Sequence, residues 1–246
     1  MTIIAFVGSV FSPTYFRARA RELRPEPSRF CALNVALYRE GGTRWAFTEH
    51  PHERVRRSRD GLELGGSRIA WEDDALVIRV HERSAGLGLP LRGTVRLRPR
   101  RCFEHPLTLD PRARHHWWAV APRAEIEVEM ERPGFRFRGS GYHDTNFGRE
   151  PLEHGFSTWD WSRAELAEGT GVLYDARPRE APAREHGLLF RDDGTVDELP
   201  APQHHALPRT RWGITRATRS DAGEPPIANV TVTLLDSGGA TVATTS

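Results

Sequence analysis

Glu125-Ile126-Glu127-Val128-Glu129-Met130-Glu131, then Arg132-Pro133-Gly134, then Phe135-Arg136-Phe137-Arg138, alternates charged and apolar residues on both sides of a turn signal. Side chains of a strand point to opposite faces with a period of two, so this stretch predicts a β-hairpin. With Val128 opposite Phe137 and Met130 opposite Phe135, one face is apolar. The other face then sets Glu129 against Arg136 and Glu127 against Arg138. A slip by one residue would drive charges into the apolar face, so the register is specified twice.

The same alternation recurs outward in both directions. Ala75–Val80 and Thr94–Arg98 read as strands, the second with one apolar and one cationic face. Further strands are expected at Cys31–Tyr38, Trp45–Thr48, Gly171–Asp175, Gly187–Arg191 and Asn229–Leu235, separated by Gly, Pro and Asp turns. Helical signals are weak and confined to Tyr15–Leu23 and Ser162–Ala167. Many short antiparallel strands indicate an all-β fold, a barrel or a sandwich. Pro178–Pro182 and Pro200–Pro208 read as connectors. A boundary near Asp110–Arg114 divides the chain into units over 1–112 and 113–246, the second carrying most of the candidate site.

The chain has 246 residues, 38% hydrophobic and 28% charged, enough for real cores in one large or two small β-units. No window approaches the roughly 20 apolar residues of a membrane helix, and Ile3–Phe11 lacks the basic start and small-residue cleavage site of a signal peptide. A cytoplasmic protein is expected. The sparse pair Cys31 and Cys102 reads as reduced thiols. All 35 basic residues are Arg, which excludes a Schiff-base lysine and a phosphate-loop lysine. The clusters at Arg54–Arg59 and Arg96–Arg101 have acidic residues close by, so they read as solvated surface or as contact with an anionic membrane surface. Nucleic acid is not an expected partner.

The densest polar-aromatic region runs from His115 to Arg163 and holds Trp117, Trp118, Trp159 and Trp161, four of the seven tryptophans. His115 with Trp117, and Tyr142 with Asp144, are two residues apart, so on extended backbone each pair shares a face. Such a lining offers an acid, a base and π surfaces together. Each feature also has a plainer meaning. Asp144, between Gly141 and Gly148, fits a turn aspartate; the tryptophans fit core or barrel lining. His115 and His116 point to opposite faces, and no ligand spacing matches a metal site, so no metal is expected. Gly139-Ser140-Gly141 lacks the third glycine of a dinucleotide loop, and no nucleophile elbow exists. His50-Pro51-His52 and His204-His205 read as solvated turns.

At these residues the sequence resembles the carotenoid 1,2-hydratases, also called hydroxyneurosporene synthases. The likeness runs through Ala5–Pro13, Cys31–Tyr38 and Arg44–Glu49, peaks at Gly141–Gly148 and Trp159–Arg163, and reaches about Arg219. It implies two lipocalin-like antiparallel β-barrel units and functional positions at His115, Trp117, Tyr142 and Asp144, with Trp118, His143, Asn146, Trp159 and Trp161 expected to bind substrate. From about Asp221 the sequence departs from the family pattern; if strands are missing there, the second barrel is incomplete and its pocket open.

The resemblance implies addition of water, without a cofactor, across the terminal C1=C2 bond of an acyclic carotenoid such as neurosporene or lycopene. Protonating an isolated alkene makes a carbocation, so a strong, well-placed acid is needed. Asp144, kept protonated by a desolvated pocket, is expected to protonate C2. Trp117 and Tyr142, with Trp159 and Trp161 as candidates, would stabilise the cation at C1, and His115 would take the proton of the attacking water. The insoluble substrate implies peripheral contact with a membrane through Arg-rich loops and aromatics. Related polyene hydration, isomerisation or cyclisation is the alternative chemistry, and a lipocalin-like carrier the alternative without chemistry.

Overall fold

The computed structural model describes residues 1–21, 24–39 and 42–200, and the backbone of short strands at 205–206, 217–218, 232–235 and 241–245. The chain divides into two compact units. One comprises Met1–Pro99 and Ala124–Gly141, the other Arg100–Arg123 and Tyr142–Ser246.

In the first unit, β1 (Thr2–Phe6), β2 (Cys31–Leu37) and β3 (Arg44–His50) form a three-stranded antiparallel sheet, with α1 (Pro13–Arg21) between β1 and β2. β2 is apolar almost throughout and buried on both faces, as befits the middle strand. A meander follows: β4 (Val55–Arg57), β5 (Gly61–Leu64), β6 (Ser67–Glu72), β7 (Ala75–Arg83) and β8 (Pro90–Pro99). β8 is buried at every second residue from Leu91 to Leu97, with Arg92, Thr94 and Arg96 between, as its alternation predicts.

After β9 (Leu107–Thr108), the long hairpin consists of β10 (His115–Arg132) and β11 (Gly134–Gly148). Its outer half lies in the first unit, where Ala124–Arg132 pairs with β8. Arg136 meets Glu129 and Arg138 meets Glu127 across it, the ion pairs that the alternation demands. Val128 and Met130 are buried on the apolar face.

The inner half of the hairpin belongs to the second unit, where β9 pairs with the start of β10. There α2 (Leu152–Gly155) leads into an antiparallel sheet of β12 (Phe156–Leu166), β13 (Gly169–Pro178), β14 (Arg184–Arg191) and β15 (Val196–Leu199). One face of this sheet packs Val172, Tyr174, Ala176, Leu188 and Phe190 with Trp117, Phe103 and Phe156. The other packs Leu173 and Leu189 with Ala164 and Leu166.

The all-β expectation holds. Among the described residues the sheets run as open paths rather than closed rings. No described helix is long and apolar enough to cross a membrane. Two readings are corrected. Ser162–Leu166 is strand and Ala167 a turn residue, because Ala164 and Leu166 alternate onto an apolar face that a helix would break up. His50 is not solvated: it ends β3 and is buried beside the buried Glu82. Cys31 and Cys102 are both free thiols, the first buried and the second exposed. Leu23, the side chains of His204 and His205, and most of Pro200–Pro208 and of the divergent tail lie outside the described residues; the strand expected at Asn229–Leu235 is described as Val232–Leu235.

Candidate active site

The candidate acid sits in the second unit between two donors on one hairpin. Alternation along β10 buries His115, Trp117 and Ala119 and leaves His116 and Trp118 half-buried. Trp117, fully buried, donates its indole N–H to Asp144 Oδ2 at 2.8 Å. The Tyr142 hydroxyl donates to the same oxygen at 3.0 Å. Among the described residues no hydrogen bond reaches Oδ1. Asp144 is therefore no turn aspartate bonded to its own backbone: it lies in β11, and one of its oxygens is held by two side chains. Burial, followed by the charge and hydrogen bond of Asp144, pushes the Tyr142 hydroxyl well above the ordinary tyrosine range, so it remains a donor at working pH.

Strands β12 and β13 add a second layer of aromatic groups. Tyr174 stands with its ring 5.4 Å from that of Trp117 and donates its hydroxyl to Asn146 Oδ1 at 3.2 Å. Burial first, then the charge of Asp144, raises the Tyr174 hydroxyl also. Trp161 lies 5.3 Å from the Tyr142 ring, and the Arg163 guanidinium lies 5.2 Å from the centre of the same ring. A cation thus already faces the Tyr142 ring. Trp159 and Trp161 are 49% and 41% exposed, so neither is core. They leave aromatic surface open to an apolar ligand.

The remaining expected residues separate from Asp144. Trp118 donates its indole N–H to the Phe103 carbonyl, on the face away from Trp117. His143 lies between Tyr142 and Asp144 on the strand and so on the other face; burial pulls it below the ordinary histidine value, against the charge of Asp144.

His115 belongs to a separate network. Its backbone N–H donates to Asp110 Oδ2 at 2.7 Å, and its Nε2 stands 3.1 Å from Glu150 Oε1, whose other oxygen accepts from Arg114 at 2.6 Å. Burial pushes the Asp110 carboxyl up, but backbone N–H groups of His115, Arg114 and Arg112 outweigh it and hold the group below the ordinary aspartate value. The His115 ring packs edge-on to Phe156 at 4.8 Å. Gly148 and Gly155 close over it: a Cβ would lie 3.0 Å from Nδ1 at the first and 2.5 Å from Nε2 at the second. Only glycine allows so close an approach.

Asp110, Glu150, Tyr174 and Arg163 were not singled out by sequence. Asp110 carries a signal in Asp110-Pro111-Arg112, a turn aspartate bonding backbone ahead of it. Tyr174 and Glu150 carry none, because strand pairing and a loop bring them in from afar. Among the described residues no group of three or more His, Cys, Asp or Glu is arranged to hold a metal ion.

A family model described as carotenoid hydratase CrtC matches residues 3–239 of the chain. The acyclic carotenoid 1,2-hydratase of Thiocapsa roseopersicina is 44% identical over 237 residues, covering 96% of this chain and 58% of that protein. That of Rubrivivax gelatinosus is 39% identical, covering 94% and 58%. That of Cereibacter sphaeroides is 37% identical, covering 91% and 78%. The chain thus spans 58% of the length of the first two relatives. No solved structure matches it.

Proposed function

The chain belongs to the carotenoid hydratase family, and on that premise we propose that it adds water across the terminal C1=C2 bond of an acyclic carotenoid such as neurosporene or lycopene. The observation that carries the mechanism is the convergence of Trp117 and Tyr142 on one oxygen of Asp144. When Asp144 takes up a proton, Oδ2 keeps its two hydrogen bonds as the carbonyl oxygen, so the acidic proton stands on Oδ1. From there it passes to C2, and positive charge develops at the tertiary C1.

Tyr142 and Trp117 serve this step by fixing Asp144 rather than by meeting the cation. The exposed faces of Trp161 and Trp159 are the π surfaces left for the polyene, and cation–π attraction there contributes about 0.5–2 kcal/mol. His115, tied to Glu150 and Asp110, positions the start of β10 and hence Trp117 two residues on. No cofactor enters the scheme, since proton transfer and water addition complete it.

The substrate is collected from a bilayer by peripheral contact. Support comes from α1, which carries Arg17, Arg19 and Arg21 and no acidic residue, and from the exposed Phe11 and Phe16 beside them. Incubation with lycopene and mass analysis tests the function. Hydration adds the mass of one water per reacted end; a rearranged product of unchanged mass indicates an isomerase or cyclase, and unchanged lycopene a carrier.

A further inference from the structure

We infer that His186 is the base that takes the proton of the attacking water, an assignment that rests on the hydratase reading above. Cross-strand registration is the starting point. Trp161 on β12 pairs with Tyr174 on β13, and Tyr174 pairs with His186 on β14. Directly paired residues of an antiparallel sheet share a face, so Trp161, Tyr174 and His186 form one row. That face is the one whose Val172, Tyr174, Leu188 and Phe190 pack with Trp117, and Trp117 holds Asp144. The candidate acid and the row ending in His186 are thereby linked through a single pair of rings, Trp117 and Tyr174.

His186 also has the open atom that the reaction needs. Its Nε2 is buried and, among the described residues, makes no hydrogen bond. Buried polar atoms are nearly always satisfied, and one left open on the face that serves the acid is suited to a water molecule. His115 does not have this freedom, because its Nε2 faces Glu150 and its ring lies under Gly148 and Gly155. Burial and the charge of Arg184 hold His186 below the ordinary histidine value against the pull of Glu198, so it is neutral and able to accept a proton at pH 7.

The step balances. Asp144 gives its proton to C2, the water oxygen bonds to C1, and the departing water proton goes to His186 Nε2. The imidazolium then releases that proton to solvent while Asp144 takes one back.

The test compares hydration of lycopene by wild type and His186→Gln between about pH 4.5 and 8.5. The wild-type kcat should fall on the acid side as His186 protonates, below the ordinary histidine value of about 6.5. His186→Gln should lose about a hundredfold in kcat with KM within about twofold, and its acid limb should be absent. Added imidazole should restore part of the rate to His186→Ala. A folded His186→Gln with wild-type kcat overturns the assignment, as does one that is slow but keeps the wild-type acid limb. A wild type that leaves lycopene unchanged overturns the hydratase reading and this assignment with it.

Discussion

Trp117 on β10 donates its indole N–H to Oδ2 of Asp144 on β11 at 2.8 Å, and Tyr142 brings its hydroxyl to the same oxygen. Two donors on one oxygen fix the carboxyl plane and the direction of the other oxygen. Tyr142→Phe removes one donor and keeps the ring. A net hydrogen bond to such a group is worth about 1–2 kcal/mol, so the hydration rate should fall about tenfold with little change in melting temperature. A rate equal to wild type would show that Tyr142 does not hold the acid.

The placing of His115 depends on two glycines. In Gly155→Ala a Cβ would meet Nε2 at 2.5 Å, and Nε2 cannot retreat without leaving Glu150. The variant should lose about 1–3 kcal/mol of stability, as overpacked sites do. Combining it with Glu150→Gln in a double-mutant cycle checks the mechanism: the losses should be less than additive, since both break the same contact. Full additivity would mean that the strain falls elsewhere.

Much of this was legible in the sequence, and the reasons differ by residue. The hairpin at Glu125–Arg138 was readable because its alternation states register and facing ion pairs at once, and both pairs are present. Tyr142 and Asp144 were readable as a pair because spacing within one strand fixes a shared face. His186 was hidden, since its meaning comes from registration across three strands whose order local sequence does not state. His50 was misread because His50-Pro51-His52 has the composition of a turn, while Glu82, its buried neighbour, lies on another strand. Trp159 and Trp161 carry two readings in the sequence, substrate contact and core or barrel lining, and their exposure reflects the place of β12 at the edge of its sheet, which composition cannot signal.

Glu82 makes the first unit sensitive to acid. Ser67 donates to its Oε1 at 2.5 Å, and His50 Nε2 lies 3.4 Å from the same oxygen. Burial pushes the Glu82 carboxyl up, but His50, Ser67 and Thr48 outweigh it and hold the group below the ordinary glutamate value. A carboxyl depressed in the folded state adds stability above its unfolded value, about 4.3, and loses it as the pH falls through the folded value. Urea midpoints should therefore drop between pH 5 and pH 3. Glu82→Gln should be less stable at pH 7 by about 1–3 kcal/mol and should show a shallower drop. An equally steep drop in the variant would assign the acid sensitivity to other groups, Asp110 first.

Membrane contact is expected at α1. Phe11 and Phe16 are 65% and 59% exposed, and α1 bears arginines without acidic neighbours in the helix. The protein should sediment with vesicles containing anionic lipid and much less with purely zwitterionic ones. Phe11→Ser with Phe16→Ser should weaken binding about tenfold or more, each buried aromatic being worth about 1.5–3 kcal/mol at most. Undiminished binding would move the contact to another surface.

The role of Asp144 as proton donor is tested most directly by Asp144→Asn, assayed beside wild type in deuterated water. Asparagine keeps a carbonyl oxygen for Trp117 and Tyr142 but has no proton to give. The folded variant should hydrate lycopene at least about a hundredfold more slowly, and the wild-type product should carry one solvent deuterium at C2. A folded Asp144→Asn protein that hydrates at close to the wild-type rate would contradict the account.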